Sequence, residues 1–191
     1  MEAIIEKIPS EYIGGVEYRM APTSIFHYMA DRNLADAINK SLDKNQFFLA
    51  QDVGLIPCEG DIIYPDLAVY QKPIHYTKHG IMTDIPLFVA EILSPSTRKK
   101  DLTVKKDLYE RIGVKEYWII SPKDEAIEVY SANEQGAYRL FNIYTTFSED
   151  EWLRMTDEEK AEHPHLTRVE SIDVTVDVWG IFKEIWQNTE E

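Results

Sequence analysis

Apolar positions along the chain fall into short runs separated by turn residues, with two stretches of helical spacing. After Pro22 the run TSIFHYMADRNLADAINKSL opens with Thr23 or Ser24 in the place of an N-cap and predicts a helix to about residue 43. Residues 12 to 20 predict an early strand or hairpin around Gly14 and Gly15. Three strands follow, Gln46 to Val53, Ile62 to Tyr70 and Leu87 to Leu93, each rich in apolar or aromatic residues and bounded by turn residues. The segment QKPIHYTKHGIMTD between the last two is a polar loop. Asp101 to Ile112 is helical by period and stops at Gly113, a residue suited to a helix C-terminus. Tyr117 to Ser121, Ala126 to Ser131 and Tyr138 to Phe147 predict three more strands, joined by turns at Pro122-Lys123-Asp124 and Asn133 to Gly136. Ser148 to His165 is acidic and loop-like, with a short helix at EDEWLRMTDEEKAE, and residues 148–170 or so are expected to be an insertion. The tail DVTVDVWGIFKEIWQ predicts a last strand and a closing amphipathic helix. This order describes an α/β fold over 1–191, a single domain whose mixed sheet is flanked by helices.

Composition narrows the class. At 191 residues the chain is long enough for one domain with a proper core and an added element. Apolar residues at 44% and aromatics at 12% are globular values, and no run of apolar residues is long enough to span a bilayer. The N-terminus, MEAIIEKIPSEY, carries acids where a signal peptide needs basic residues, so a cytoplasmic location and no membrane association are expected. The single cysteine, Cys58, can form no intrachain disulfide. A net charge of -14 opposes the binding of a polyanion, so nucleic acid would need a local basic patch. Solubility is a sufficient reason for the acidity.

Two carboxylates stand out, because Asp66 and Glu91 each interrupt an otherwise apolar strand. By strand alternation Asp66 shares a face with Tyr64 and Ala68, and Glu91 with Val89 and Leu93, so neither face is evidently wet. Burying an ionised carboxylate costs several kcal/mol unless a cation or donor offsets it. A hard ion is one answer, and oxygen ligands suit magnesium or manganese; backbone amides or arginines are the other. The middle helix bears on the choice. With residues about 100° apart, Lys105 falls in the arc of Leu102, Leu108, Tyr109 and Ile112, while Lys106 lies toward its edge. An inward lysine needs a negative partner unless its ammonium snorkels to water. His27, on the apolar side of the first helix with Leu34 and Ile38, is either packed in the core or a residue lining the site. His75 and His79 lie in a loop, and His163 and His165 flank Pro164 facing solvent. No phosphate-binding glycine loop and no Gly-x-Ser-x-Gly elbow is present.

The strings YPDLAVY and PLFVAEILSPSTRKKDLTVKKDLYERIGVKEYWIISP resemble the Uma-two family of restriction-endonuclease-like proteins. GGVEYRMAP with His27 resembles that family's opening hairpin and first helix more weakly. The resemblance implies a restriction-endonuclease-like fold of the PD-(D/E)xK nuclease superfamily. Its lysine normally stands two residues past the second acid, where this chain has Leu93; the family resembles branches in which the lysine has moved to the next helix, here Lys105. On that resemblance Asp66, Glu91 and Lys105 are the catalytic set. Asp66, Glu91 and the carbonyl of Ile92 would hold Mg2+ or Mn2+, and the activity is hydrolysis of DNA phosphodiesters by an endonuclease. DNA would meet the basic residues Arg98, Lys99, Lys100 and Lys106, and a homodimer is expected. The rival reading, favoured by the acidic charge, is a catalytically inactive nuclease-like module that binds a partner protein.

Overall fold

The computed structural model describes residues 10–20 and 22–185. Gly14 and Gly15 take φ of +59° and +78°, the left-handed conformation of a tight hairpin turn. They join β1 (Ser10–Ile13) to β2 (Val16–Arg19) in antiparallel register. Ser24 accepts the backbone N–H of His27 and caps α1 (Ile25–Asn39). The helix stops short of the expected residue 43 because Asp43 builds a turn of its own. Its carboxylate accepts from Asn45 N and Gln46 Nε2, and its carbonyl from Gln46 N and Phe47 N, which competes with helical pairing.

A six-stranded sheet runs in chain order: β3 (Phe47–Gln51), β4 (Leu67–Gln71), β5 (Phe88–Ile92), β6 (Glu116–Ser121), β7 (Ala126–Ala132) and β8 (Tyr138–Thr145). Only β5 and β6 are parallel, so only they need a helical crossover. That crossover is α2 (Arg98–Lys100), a π-helical turn (Asp101–Lys105) and α3 (Lys106–Ile112), ended by Gly113 at φ +90°. The strand expected over Ile62 to Tyr70 is corrected: it begins at Leu67, and Ile62 and Ile63 make only isolated bridges to Tyr12 and Leu55. Pro65 brings no N–H to a ladder. Asp66 therefore sits at the entrance of β4 and not within it.

The acidic stretch folds into two short helices where one was expected, α4 (Glu149–Arg154) and α5 (Asp157–Glu162). Each has its own capping box, Ser148 with Glu151 and Thr156 with Glu159. A hairpin of β9 (Leu166–Val169) and β10 (Val174–Asp177) follows, then α6 (Val178–Phe182). The last residues of the expected closing helix, Trp186 and Gln187, lie outside the described residues.

Both faces of the sheet are covered. One packs Phe88, Ala90, Trp118 and Ile120 against Leu34 and Ile38 of α1 and against β10 and α6. The other packs Val89, Tyr117 and Ile119 against Leu108 and Tyr109 of α3 and the loop residues Leu55 and Ile63. This double coverage is why β5 and β6 are buried at every position. It also means that any charged side chain on them must be neutralised inside the protein.

Candidate active site

Glu91 meets that requirement in the middle of β5. Its side chain points to the α3 face and is 1% exposed. Lys105 Nζ donates to both Glu91 oxygens at 2.9 Å, and the Tyr109 hydroxyl donates to Oε1 at 2.6 Å. Lys105 is 3% exposed, held inward by the π-helical turn that ends on it. The wider turn, which closes i→i+5 bonds, brings Asp101 inward as well, with 1% exposure. Leu102, the expected reference of the buried arc, is only half-buried. Lys106 points elsewhere, with Nζ 3.9 Å from the centre of the Tyr130 ring.

Asp66 reaches the same place from the entrance of β4. Its Oδ2 accepts the Ile92 N–H at 2.7 Å and lies 3.1 Å from His27 Nε2. The contribution of Ile92 in this structure is thus its N–H to Asp66. His27 belongs to the site: the first turn of α1 sets its ring against the carboxylate.

Sequence reasoning missed Glu11, the second residue of β1. It is wholly buried, accepts the Tyr64 N–H at 2.9 Å and lies 2.9 Å from Lys105 Nζ. Lys100 Nζ donates to its other oxygen. A lone acid in the short polar string SEYI looks like a solvated edge. The bridge from Tyr12 to Ile62, with the Tyr64 N–H on Glu11 and the Gly14 N–H on Asp61, turns that strand over the site.

These residues line one cavity of about 190 Å³, which contains five carboxylates (Glu11, Asp52, Asp66, Glu91 and Asp101) against two ammonium groups (Lys100 and Lys105) and His27. The excess of acid shows in the proton affinities. Burial, with Asp66, Asp101 and Glu11 nearby, pushes the Glu91 carboxyl well above the usual range against the pull of Lys105. Burial works against the Lys105 charge too, but Glu91 and Glu11 outweigh it and hold its pKa above the ordinary lysine value. For Asp66 burial is overcome by His27, Lys105 and the Ile92 N–H, which keep it ionised and its pKa low. Burial opposes the His27 charge as well, yet the bond to Asp66, with Asp31 and Asp52 near, raises its pKa. Just beyond the cavity Asp31, 7% exposed, is raised to about 7 by burial and by Asp66 and Asp52, although Gln51 donates to it at 2.6 Å.

The residues expected to form a basic patch are dispersed. Arg98 pairs with Asp124 at 3.2 Å, Lys100 turns inward to Glu11, and Lys106 covers Tyr130. Lys99 is exposed. His75 pairs with Asp84 at 3.0 Å on an exposed loop and forms no pair with His79. His165 is exposed, as expected, 5.8 Å from Trp179, while His163 is half-buried and packs on Phe147 at 4.8 Å.

As the side chains stand, no group of three or more His, Cys, Asp or Glu among the described residues is arranged around a metal position. The donor set nevertheless suits a hard cation. Carboxylates outnumber cations in the cavity, and Asp101 Oδ1 is buried without a hydrogen-bond partner among the described residues. Both are features a divalent ion would correct.

The sequence profile of the Uma2 family, described as "Putative restriction endonuclease", matches residues 2–159. A structure of a putative nuclease of the group DUF820 from Anabaena variabilis ATCC 29413 superposes with a TM-score of 0.69 at 17% identity, over 93% of this chain and 92% of that one. No curated protein matches. The fold is that of a nuclease-like protein, a mixed sheet flanked by helices. The chain belongs to the Uma2 family. Among the described residues no helix is long and apolar enough to cross a membrane.

Proposed function

We propose that the protein is an endonuclease that hydrolyses DNA phosphodiester bonds with magnesium or manganese as cofactor. The observation that carries this reading is the convergence of Asp66, Glu91 and Lys105 in one cavity with more carboxylate than cation. Asp66, Glu91 and the carbonyl of Ile92 would hold the ion, which supplies Lewis-acid polarisation of the phosphate and a bound water of lowered pKa. The chain's own residues do the rest. The Lys105 ammonium stabilises the charge that develops on the phosphate oxygens. Tyr109 and His27 orient Glu91 and Asp66 by hydrogen bonds. Glu11 holds Lys105 as a second carboxylate partner besides Glu91. Burial of Glu91 and Lys105 keeps these charges unscreened by water.

A melting experiment tests the proposal. An ion bound only by the folded protein stabilises it by mass action. Magnesium or manganese is therefore expected to raise the Tm of the wild type and to leave Asp66→Ala and Glu91→Ala unmoved. Equal shifts in all three proteins, or a wild type that cuts no DNA with either metal, would overturn the reading.

A further inference from the structure

We propose that the nucleic acid this site takes is an unpaired DNA strand and not a duplex, with a base stacked on Tyr28, the neighbour of His27 on α1. The inference rests on the nuclease reading above and adds the substrate's form. Its first support is charge. A duplex carries one phosphate charge per about 1.7 Å of axis, and a protein that holds it must neutralise several at once. This chain has a net charge of -14. Of the basic residues from Arg98 to Lys106, Arg98 is paired to Asp124, Lys100 and Lys105 to Glu11 and Lys106 to Tyr130. Lys99 alone in that run has an ammonium with no partner among the described residues. A second backbone, which every duplex brings, would find on this run a single unpaired ammonium to receive it.

The cavity's shape agrees. The reactive groups line a space of about 190 Å³, below the 300–1,000 Å³ usual for a whole small ligand. A phosphodiester fits such a space only if its backbone can bend into it. A duplex resists that bending, with a persistence length of about 50 nm, whereas a single strand does not. The lining includes neutral hydroxyls, Thr23 and Ser24 ahead of α1 and Ser94, Ser96 and Thr97 after β5. These can donate to a phosphate without a counter-charge.

The third support is an exposed apolar pair on the helix that carries His27. Ile25 and Tyr28 follow Ser24 on the first turns of α1 and are 61% and 54% exposed. Three apart on a helix, they share one face, next to His27, which lines the cavity. An exposed aromatic ring beside a strand-sized cavity is the usual means of holding unpaired bases, because every base has a face to stack.

The test is single-turnover cleavage, with magnesium or manganese, of one end-labelled oligonucleotide offered alone or annealed to its complement. Asp66→Asn serves as the control that assigns cleavage to this site. The strand alone is expected to be cut about tenfold faster or more. Tyr28→Ala is expected to raise the half-saturating strand concentration about tenfold, the scale of one lost base stack, and Tyr28→Phe to restore it. Melting curves check that both variants fold. A duplex cut as fast as the strand, or faster, overturns the inference and leaves the nuclease reading standing. An unchanged half-saturation in Tyr28→Ala overturns the stacking contact. If neither form is cut, the nuclease reading fails and the inference falls with it.

Discussion

Glu91 and Glu116 occupy neighbouring strands and are 1% and 3% exposed, yet they sit on opposite faces of the sheet and in opposite electrostatic settings. In the β5–β6 register Glu116 lies beside Phe88 and Glu91 beside Ile119. Glu116 accepts from Trp118 Nε1 at 2.8 Å and from Ser171 N at 3.0 Å. Both donors are neutral. Burial raises its pKa and these donors pull it back. Glu91 faces an ammonium, a phenol and four other carboxylates across a cavity. Burial of an acid is therefore not what marks a site. Glu116 is pinned by neutral donors, while Glu91 belongs to a set of charges that its own cations do not balance.

The contrast breaks hardest at Lys105. Replacing it with Met keeps the bulk of the stem but leaves Glu11 and Glu91 facing each other without their shared cation. Removing one partner of a buried pair costs about 3–5 kcal/mol, and loss of a positioned electrostatic group lowers cleavage about a hundredfold or more. Lys106→Met loses a contact with the Tyr130 ring worth about 1 kcal/mol. Chemical denaturation and single-turnover cleavage of both variants measure the two effects. A larger loss in Lys106→Met than in Lys105→Met would mean that the buried set is not the functional one.

Asp31 sharpens the comparison from the border between the two settings. It is buried like Glu116 and feels Asp66 and Asp52 as Glu91 feels its neighbours. Its folded pKa of about 7 lies above the ordinary aspartate value of 3.8. The proton is thus favoured by the fold: stability from this group is fully present below about pH 4 and is lost as pH rises through 7. Asp31→Asn keeps an acceptor for Gln51 and has no proton to lose. It is expected to match the wild type near pH 4 and to exceed it at pH 8, by up to about 4 kcal/mol. Urea denaturation across that range reads the difference. A gap that is constant with pH would show that Asp31 is an ordinary ionised surface acid.

What could be read before the fold was known follows from which signals are local. The apolar runs located all six strands of the sheet, and Gly113 marked the end of α3, because burial on both faces and a left-handed cap each leave a mark on neighbouring residues. Asp66, Glu91 and Lys105 were visible as charges in apolar settings. A uniform 100° count selects Lys105, although the π-helical turn alters the count at Asp101–Lys105 and turns Asp101 inward with it. Glu11 and Lys100 were not visible, because each lies in a polar string whose partner is distant in sequence; their pairing spans 89 positions. The basic run Arg98 to Lys106 looked like one patch, and the crossover sends its members in four directions. Glu116 was hidden by its place at the first position of a strand, where a charged residue normally meets water.

The smallest expected effect concerns that residue. Glu116→Gln keeps one carbonyl oxygen and offers an amide in place of the other. The Trp118 indole and the Ser171 N–H therefore compete for one good acceptor. One neutral hydrogen bond is lost or lengthened, worth about 1 kcal/mol. Removal of a raised-pKa carboxylate offsets part of it at neutral pH. The net change in denaturation free energy is expected to stay within about 1 kcal/mol, and the metal-dependent rise in Tm is expected to persist in full. Glu91→Gln, the same chemical change on the next strand, is expected to abolish that rise. If Glu116→Gln also abolishes it, the two carboxylates act on one ion or one cooperative unit, and the division drawn between a pinned acid and a functional one does not hold.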